Sequence, residues 1–413
     1  MSRSRRWRPD AVVAIPRYRA YAGTALLSAG FRPFFLLSSA WAALAVPLWL
    51  IFFAGVGAVP TLLPPPIWHA HEMIYGYATA TVAGFLLTAI PNWTGRMPLQ
   101  GVSLAALAIL WIAGRIGVLL SAEIGAAGAA LLDLAFPVAF LAAVAREIAA
   151  GRNWRNLPMV AAFMLLLAGN ILVHADAFGW ASTGELGDRI GIATLLMLIS
   201  LVGGRIVPSF TRNWLTKQRP DGARPASFGW ADRAGLGFTA IALLTWVAAP
   251  DAVVTSALAL LAAAAQGIRL ARWRGAGAWR EPLLWVLHLG YGWLVLGFLL
   301  LAVNGIVPLL PATAALHAFT VGAIGTMTLA VMTRASLGHT GRTLTAGRGT
   351  TTIYVLVTIA ALLRLLAPLA GAQYFLTLSL AGAAWSGAFG LFVVLYGRPL
   401  LTPGVAAVTV RAP

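Results

Sequence analysis

Apolar segments of roughly 20 residues recur twelve times along this chain of 413 residues, and they constrain its fold more than any other feature. A helix of about 20 residues crosses the hydrocarbon core of a bilayer, since each residue adds about 1.5 Å. Only ten per cent of the residues are charged, which is too few for the surface of a soluble domain of this size. The sequence therefore predicts an all-α integral membrane protein with spans at 33–54, 67–90, 99–121, 124–147, 157–178, 190–210, 229–249, 252–270, 282–302, 312–335, 351–370 and 373–397.

The basic residues lie almost wholly on one side of these spans if the N-terminus is cytoplasmic. Of the 29 lysines and arginines, 26 lie in the inner segments or at the inner ends of spans, Arg189 lies in a predicted outer loop, and Arg115 and Arg364 lie in the outer half of the membrane. This distribution follows the positive-inside rule. The net charge of +17 therefore orients the protein and meets anionic lipid, and it does not indicate a nucleic-acid partner. We expect a basic cytoplasmic tail at 1–30, one twelve-helix membrane domain at 31–400 and a cytoplasmic tail at 401–413.

The chain also carries weak self-similarity with a period of about 125 residues. An arginine followed closely by proline opens the first, fifth and ninth spans, at Arg32–Pro33, Arg155–Pro158 and Arg280–Pro282. This pattern favours three pseudo-repeats of four helices over two units of six helices. Two units of six are typical of facilitator-type transporters. Chance recurrence of such pairs at cytoplasmic helix ends is the alternative interpretation.

Four of the six histidines are expected at one depth, near the outer ends of their spans. His69 and His71 open the second span, His174 ends the fifth, and His317 lies about one turn into the tenth. Histidine is rare within membrane helices, and several at one depth indicate a metal or haem site. Because the chain has no cysteine, a metal would need histidine, carboxylate, methionine or backbone ligands.

The spacing of His69 and His71 limits how they can act together. Two residues turn about 200° around an α-helix, so one metal can hardly meet both if the helix is regular there. Either His69 belongs to the turn after the prolines at 64–66, or the two histidines serve different sites. Of the remaining histidines, His288 is predicted in the inner half of the ninth span, and His339 in a cytoplasmic loop where it anchors a helix end. For each of the six histidines, the alternative to a role in a metal or haem site is a structural role, such as packing within the helix bundle.

Arg115 and Arg364 are the basic residues predicted inside the membrane, both in its outer half. Arginine binds carboxylates through two parallel hydrogen bonds, so the propionates of a haem at the outer face would pair with them. The alternative is that Arg115 pairs with Asp133 on the neighbouring fourth span, and that Arg364 extends its charge outward to water. The sequence leaves both alternatives open.

Two motifs resemble the NnrS family of bacterial membrane proteins over about residues 28–400. They are "WHAHEMIYGYATATVAGFLLTAIPNWTGR", preceded by "GFRPFF", and "SLGHTGR" far downstream. The resemblance implies an inner-membrane protein that contains haem and copper and is associated with nitric oxide metabolism and nitrosative stress. It makes candidate functional positions of the motif residues His69, His71, Glu72, His339 and Arg342.

The three-by-four plan is also that of the haem–copper oxidase core subunit, an analogy of architecture that does not fix function. In that superfamily the haem ligands come from the second and tenth helices, which here carry His69, His71 and His317. The copper ligands come from the sixth and seventh helices, which contain no histidine in this chain. We therefore expect a remodelled haem site between helices 2 and 10, with haem b and a metal such as copper beside it, and with His174 and His288 as further candidate ligands.

The favoured function is binding of nitric oxide by a haem near the periplasmic face, with electrons from an unknown donor if nitric oxide is reduced. Whether the protein is an oxidoreductase or only binds or senses the gas is left open. Reduction would require protons, and Glu72 is the carboxylate nearest to the histidine level. The alternative from another class is a transporter of copper, haem or a small solute, with a helix break at Gly203–Gly204. A structural partner of another respiratory complex is a third hypothesis.

Overall fold

Long helices account for the fold of the residues that the computed structural model describes, which are 21–218, 222–307 and 311–404. Each of twelve helices contains most of one predicted span, so the all-α prediction is confirmed. The larger part of the two predicted tails, at 1–20 and 405–413, lies outside the described residues. The helices are α1 (Phe31–Phe53), α2 (Pro65–Thr94), α3 (Gly101–Leu119), α4 (Ser121–Ala150), α5 (Leu157–Ala177), α6 (Gly184–Gln218), α7 (Trp230–Ala248), α8 (Val253–Ala271), α9 (Pro282–Asn304), α10 (Ala312–His339), α11 (Arg348–Leu366) and α12 (Tyr374–Leu401).

Eleven of these helices are long and apolar enough to cross a membrane, so the chain is a multi-pass membrane protein. Helix α7 is not among the eleven, and it carries Asp232 and Arg233 in its first turn. Its carboxylate is compensated within the bundle, because Arg269 Nε of α8 donates to Asp232 Oδ1 at 2.9 Å. A buried charge needs such a partner. Helix α7 therefore packs between α6 and α8 like the other members of the bundle.

Helices α2, α6 and α10 form the centre of the bundle. The buried share of their most apolar stretch is 72% in α2, 67% in α10 and 56% in α6, against 50% or less in the other eight spans. Helix α12 packs against α1, so the first and last of the twelve helices are neighbours. Arg32, from the first motif, donates to the carbonyls of Leu400 and Thr402 at 2.8 and 2.7 Å. These bonds satisfy carbonyl groups that the end of a helix leaves without partners.

Each central helix contains a π-helical segment, at Glu72–Ala78, Ile199–Gly203 and Ala318–Gly325. The three segments fall in the second helix of each predicted four-helix unit, which agrees with the threefold plan. A π-helical segment shifts the backbone hydrogen bonds and frequently marks a functional site. Side chains of neighbouring helices bond to carbonyls in two of these segments. Trp111 Nε1 donates to the Gly76 carbonyl at 3.0 Å, and Arg269 Nη1 donates to the Ser200 carbonyl at 2.9 Å.

Helix α6 is continuous where the transporter hypothesis expected a break. Gly203 ends its π-helical segment and Gly204 begins the next α-helical part, so the chain does not unwind there. Gly204 instead permits a close approach, because a Cβ at this position would collide with the guanidinium of Arg269. The two glycines therefore serve helix packing, and α6 lacks the discontinuity that is typical of a transporter substrate site.

Candidate functional site

A cavity of about 370 Å³ lies at the end of the bundle where α2 and α10 begin, which we call the outer end. Its walls come from α1, α2, α6, α10, α11 and α12, and most are apolar, such as Val46, Leu378 and Ile324. Three side chains with basic nitrogens face it: His69, His317 and Arg364. We call it the histidine cavity. An apolar pocket of this size with a few converging polar groups is the usual form of a cofactor site.

His317 is oriented by its own helix. Its Nδ1 lies 2.6 Å from the backbone carbonyl of Thr313, one turn earlier in α10, so Nδ1 carries the proton and donates it. The other ring nitrogen, Nε2, is then the unprotonated one. A hydrogen bond of this kind is what fixes the tautomer and the ring orientation of histidines that bind metals. His317 also ends the regular first turns of α10, immediately before the π-helical segment.

His69 is held by stacking. Its ring lies against that of Trp49 on α1, with ring centroids 4.2 Å apart and an angle of 26° between the planes. Among the described residues its buried Nδ1 has no hydrogen-bond partner, and the same is true of Nη1 of Arg364, which lines the same cavity. Buried polar atoms without partners cost about 1–3 kcal/mol each and are few in native proteins. A polar ligand in the cavity would supply the partner that the described residues do not give these two atoms.

The residues of the histidine cavity fit a haem. Two imidazoles are the usual axial ligands of b-type haem, and a guanidinium pairs with propionate carboxylates. Small residues at the cavity wall, including Ala70, Ala381 and Gly382, leave room for a flat ring between larger apolar side chains. The bonding state of His317, with Nδ1 donating and Nε2 free, is the one that a ligand to iron requires.

His71 belongs to a second site, on the opposite side of α2. Its Nδ1 lies 3.0 Å from Glu72 Oε1, and its Nε2 lies 3.2 Å from Asp133 Oδ2 and 3.0 Å from Asn170 Oδ1. His174 Nε2 lies 3.0 Å from the same Asp133 oxygen. All of these side chains are buried. We call this group the polar cluster.

Arg115 compensates the charge of the polar cluster. Its Nη1 donates to Glu72 Oε2 at 2.7 Å and its Nη2 pairs with Asp133 Oδ1. Trp41 Nε1 adds a hydrogen bond of 2.6 Å to the Glu72 carboxylate. Gly76 makes the arrangement possible, since a Cβ there would lie 2.6 Å from Arg115 Nη1. Of the two alternatives for Arg115, the structure has the ion pair with Asp133, whereas Arg364 lines the histidine cavity.

The polar cluster could hold a metal ion. Ligand atoms of His71, Asp133 and His174 all lie within 4.8 Å of one another, and all three residues are buried. Two imidazoles and one carboxylate are a donor set that suits zinc, copper or iron. Both ring nitrogens of His71 lie beside acceptor oxygens, so a bound metal ion would take the place of the proton on His71 Nε2.

The helix geometry decides between the alternatives for His69 and His71. Both lie in the regular α-helical turns Pro65–His71, so His69 is not part of a turn before the helix. Their two-residue spacing turns them to different sides of α2, and they serve different sites, as the second alternative predicts.

The other predicted residues lie outside both sites. His288 Nε2 is bonded to Thr211 Oγ1 of α6 at 2.9 Å, in the inner half of the bundle. His339, at the inner end of α10, packs against Phe31 with ring centroids 5.4 Å apart. Arg342 follows shortly after. The segment "GFRPFF" and the downstream motif "SLGHTGR" thus meet through Phe31 and His339, at the end of the bundle opposite to the histidine cavity.

Two members of these sites had no role in the sequence-based hypothesis. Asn170 donates to Asp133 Oδ2 at 2.8 Å from Nδ2, and Trp49 orients His69. A signal existed for Asn170, because it precedes His174 by four residues and so shares its face of α5. No local signal distinguishes Trp49 from the other 15 tryptophans.

Comparison with known families agrees with the motifs. The family model described as "NnrS protein" matches residues 25–403, nearly the whole chain. No curated protein sequence matches the chain.

Proposed function

Because the chain belongs to the NnrS family, a family linked to nitric oxide metabolism and to haem and metal binding, we propose that it binds haem in the histidine cavity and nitric oxide at that haem. The observation that carries this proposal is the pair of buried atoms without partners, His69 Nδ1 and Arg364 Nη1, at one apolar cavity. The site needs no polar substrate channel, because nitric oxide is small and apolar and enters from the lipid. The inner membrane, with both termini in the cytoplasm, is the location that the basic residues favour.

His317, whose ring is fixed by the bond from Nδ1 to the Thr313 carbonyl, would hold the haem iron through Nε2. Arg364 would hold the propionates. A bound haem b supplies an iron that binds nitric oxide and exchanges electrons with a donor. The role of His69 would decide the mode of action. If His69 also held the iron, the protein would carry electrons or sense the gas, and if it did not, the iron would be able to bind the gas.

We infer that the polar cluster holds a single copper ion through His71, Asp133 and His174. Glu72 has the proton-handling role in this proposal. Its carboxylate accepts from Trp41 and Arg115 and lies 3.0 Å from His71 Nδ1, so a proton on that nitrogen is shared between the two residues. If the protein reduces nitric oxide as an oxidoreductase, that reaction would need protons, which a group such as Glu72 would deliver.

The proposal is tested by absorption spectra of the protein purified in detergent from cells supplied with haem. We expect a b-type spectrum, sharpened by dithionite, and a further change when nitric oxide is added to the reduced protein. A spectrum unchanged by nitric oxide would limit the protein to electron transfer. A colourless protein would contradict the haem proposal and leave transport as the better account.

The copper proposal is tested by metal analysis of the same preparations. His174→Ala removes one of three donors, so we expect it to lower bound copper at least about tenfold, the loss that even an outer partner of a metal ligand causes. Its haem content should stay unchanged, because the two sites lie on different sides of α2. His288→Ala is the matched control and should keep both. Equal copper in wild type and His174→Ala would show that the cluster is not the copper site.

A further inference from the structure

A second cavity, of about 90 Å³, lies between the three central helices. We call it the central cavity. Its lining is almost wholly apolar and comes mainly from α2, α6 and α10, including Phe85, Leu198, Val202 and Val331. The two hydroxyl groups in its wall are occupied, since Thr81 donates to the Tyr77 carbonyl at 3.2 Å and Thr328 to the Ile324 carbonyl at 2.8 Å. Water and ions would therefore find no partners in it.

The central cavity adjoins the histidine cavity. Leu195 of α6 and Ile324 of α10 line both of them. On α2 the central cavity begins at Ala78, nine residues after His69, which is roughly 13 Å deeper at 1.5 Å per residue. The two cavities are thus stacked along the same three helices. At their boundary the hydroxyl of Tyr77, which lines the histidine cavity, contacts that of Thr328, which lines the central cavity.

We propose that the central cavity binds a small apolar gas molecule and passes it to the histidine cavity between Leu195 and Ile324. Apolar gases concentrate in the hydrocarbon of a bilayer, which is the depth at which this cavity lies. A dry apolar cavity takes up such guests, as engineered cavities bind xenon or benzene. That the physiological gas is nitric oxide rests on the function proposed above, whereas gas binding itself does not.

Xenon is the probe for gas binding, because it needs no haem. Crystals of the full chain kept under xenon pressure are expected to show anomalous density in the central cavity. Val202→Trp should abolish it, because Val202 lines the central cavity and not the histidine cavity. Leu198→Phe adds less volume at the same wall and serves if the first variant does not fold. An empty central cavity in wild-type crystals under xenon overturns the proposal.

Transfer is tested by the rate at which nitric oxide combines with the reduced protein in stopped flow. We expect Val202→Trp to slow association by roughly fivefold or more, with the spectrum of the unliganded protein unchanged, because the gas then reaches the site by fewer paths. Leu244→Trp, on the exposed face of α7, is the matched control and should leave the rate unchanged. An unchanged rate in a Val202→Trp protein that has lost its xenon overturns the transfer proposal. If wild type binds xenon but no nitric oxide, the proposed function fails and gas binding stands.

Discussion

Purified His317→Ala protein is expected to have lost most of its haem absorbance. His317 is the imidazole at the histidine cavity whose Nδ1 donates to a backbone carbonyl, so its Nε2 is the best-prepared ligand for iron. Removing an outer partner of a metal ligand already costs about 10- to 100-fold in affinity, and removal of the ligand itself should cost at least as much. The measurement is the haem-to-protein ratio from the pyridine haemochrome spectrum of matched preparations.

Two further variants make that result specific. His288→Ala alters a histidine that is bonded to Thr211 in the other half of the bundle, and it should retain full haem. His69→Ala separates the two modes of action: a spectrum that shows one protein ligand fewer than wild type would identify His69 as a second residue that holds the iron. Haem bound at the wild-type ratio in His317→Ala would refute the assignment of His317.

Arg115→Met should destabilise the protein by about 3–5 kcal/mol, the cost of removing one partner from a buried ion pair. Arg115 lies between the carboxylates of Glu72 and Asp133, and all three side chains are buried. Without the guanidinium, the carboxylates of Glu72 and Asp133 would lose their arginine partner inside the helix bundle, where charge compensation is costly to remove. The change is measured as the free energy of unfolding in mixed detergent micelles, with wild type in parallel.

The matched control is Arg189→Met, at the outer end of α6. Arg189 pairs with Glu185 one turn away, and the Glu185 side chain is 87% exposed, so solvent screens the pair. Its loss should cost less than about 1 kcal/mol. If Arg115→Met were as mild as this control, the ion pairs of Arg115 with Glu72 and Asp133 would not stabilise the protein as described.

The sequence determined the membrane fold. The length of each apolar segment is a local property, and a bilayer admits few solutions other than a spanning helix, so all twelve helices lie where the spans were predicted. The arginine–proline recurrences also predicted which helices are equivalent, and the π-helical segments of α2, α6 and α10 agree with that plan. The same spans predicted a common depth for four of the six histidines.

Only the tertiary structure decided which side chains meet. His69 and His71 have nearly the same depth and composition around them, yet one faces Trp49 and the histidine cavity and the other faces Asp133. Hydropathy fixes how deep a residue lies, but the rotation of a helix about its axis depends on packing against helices that are distant in the sequence. The partners of Arg115, and the cavity that joins α2 to α10, follow from that packing alone.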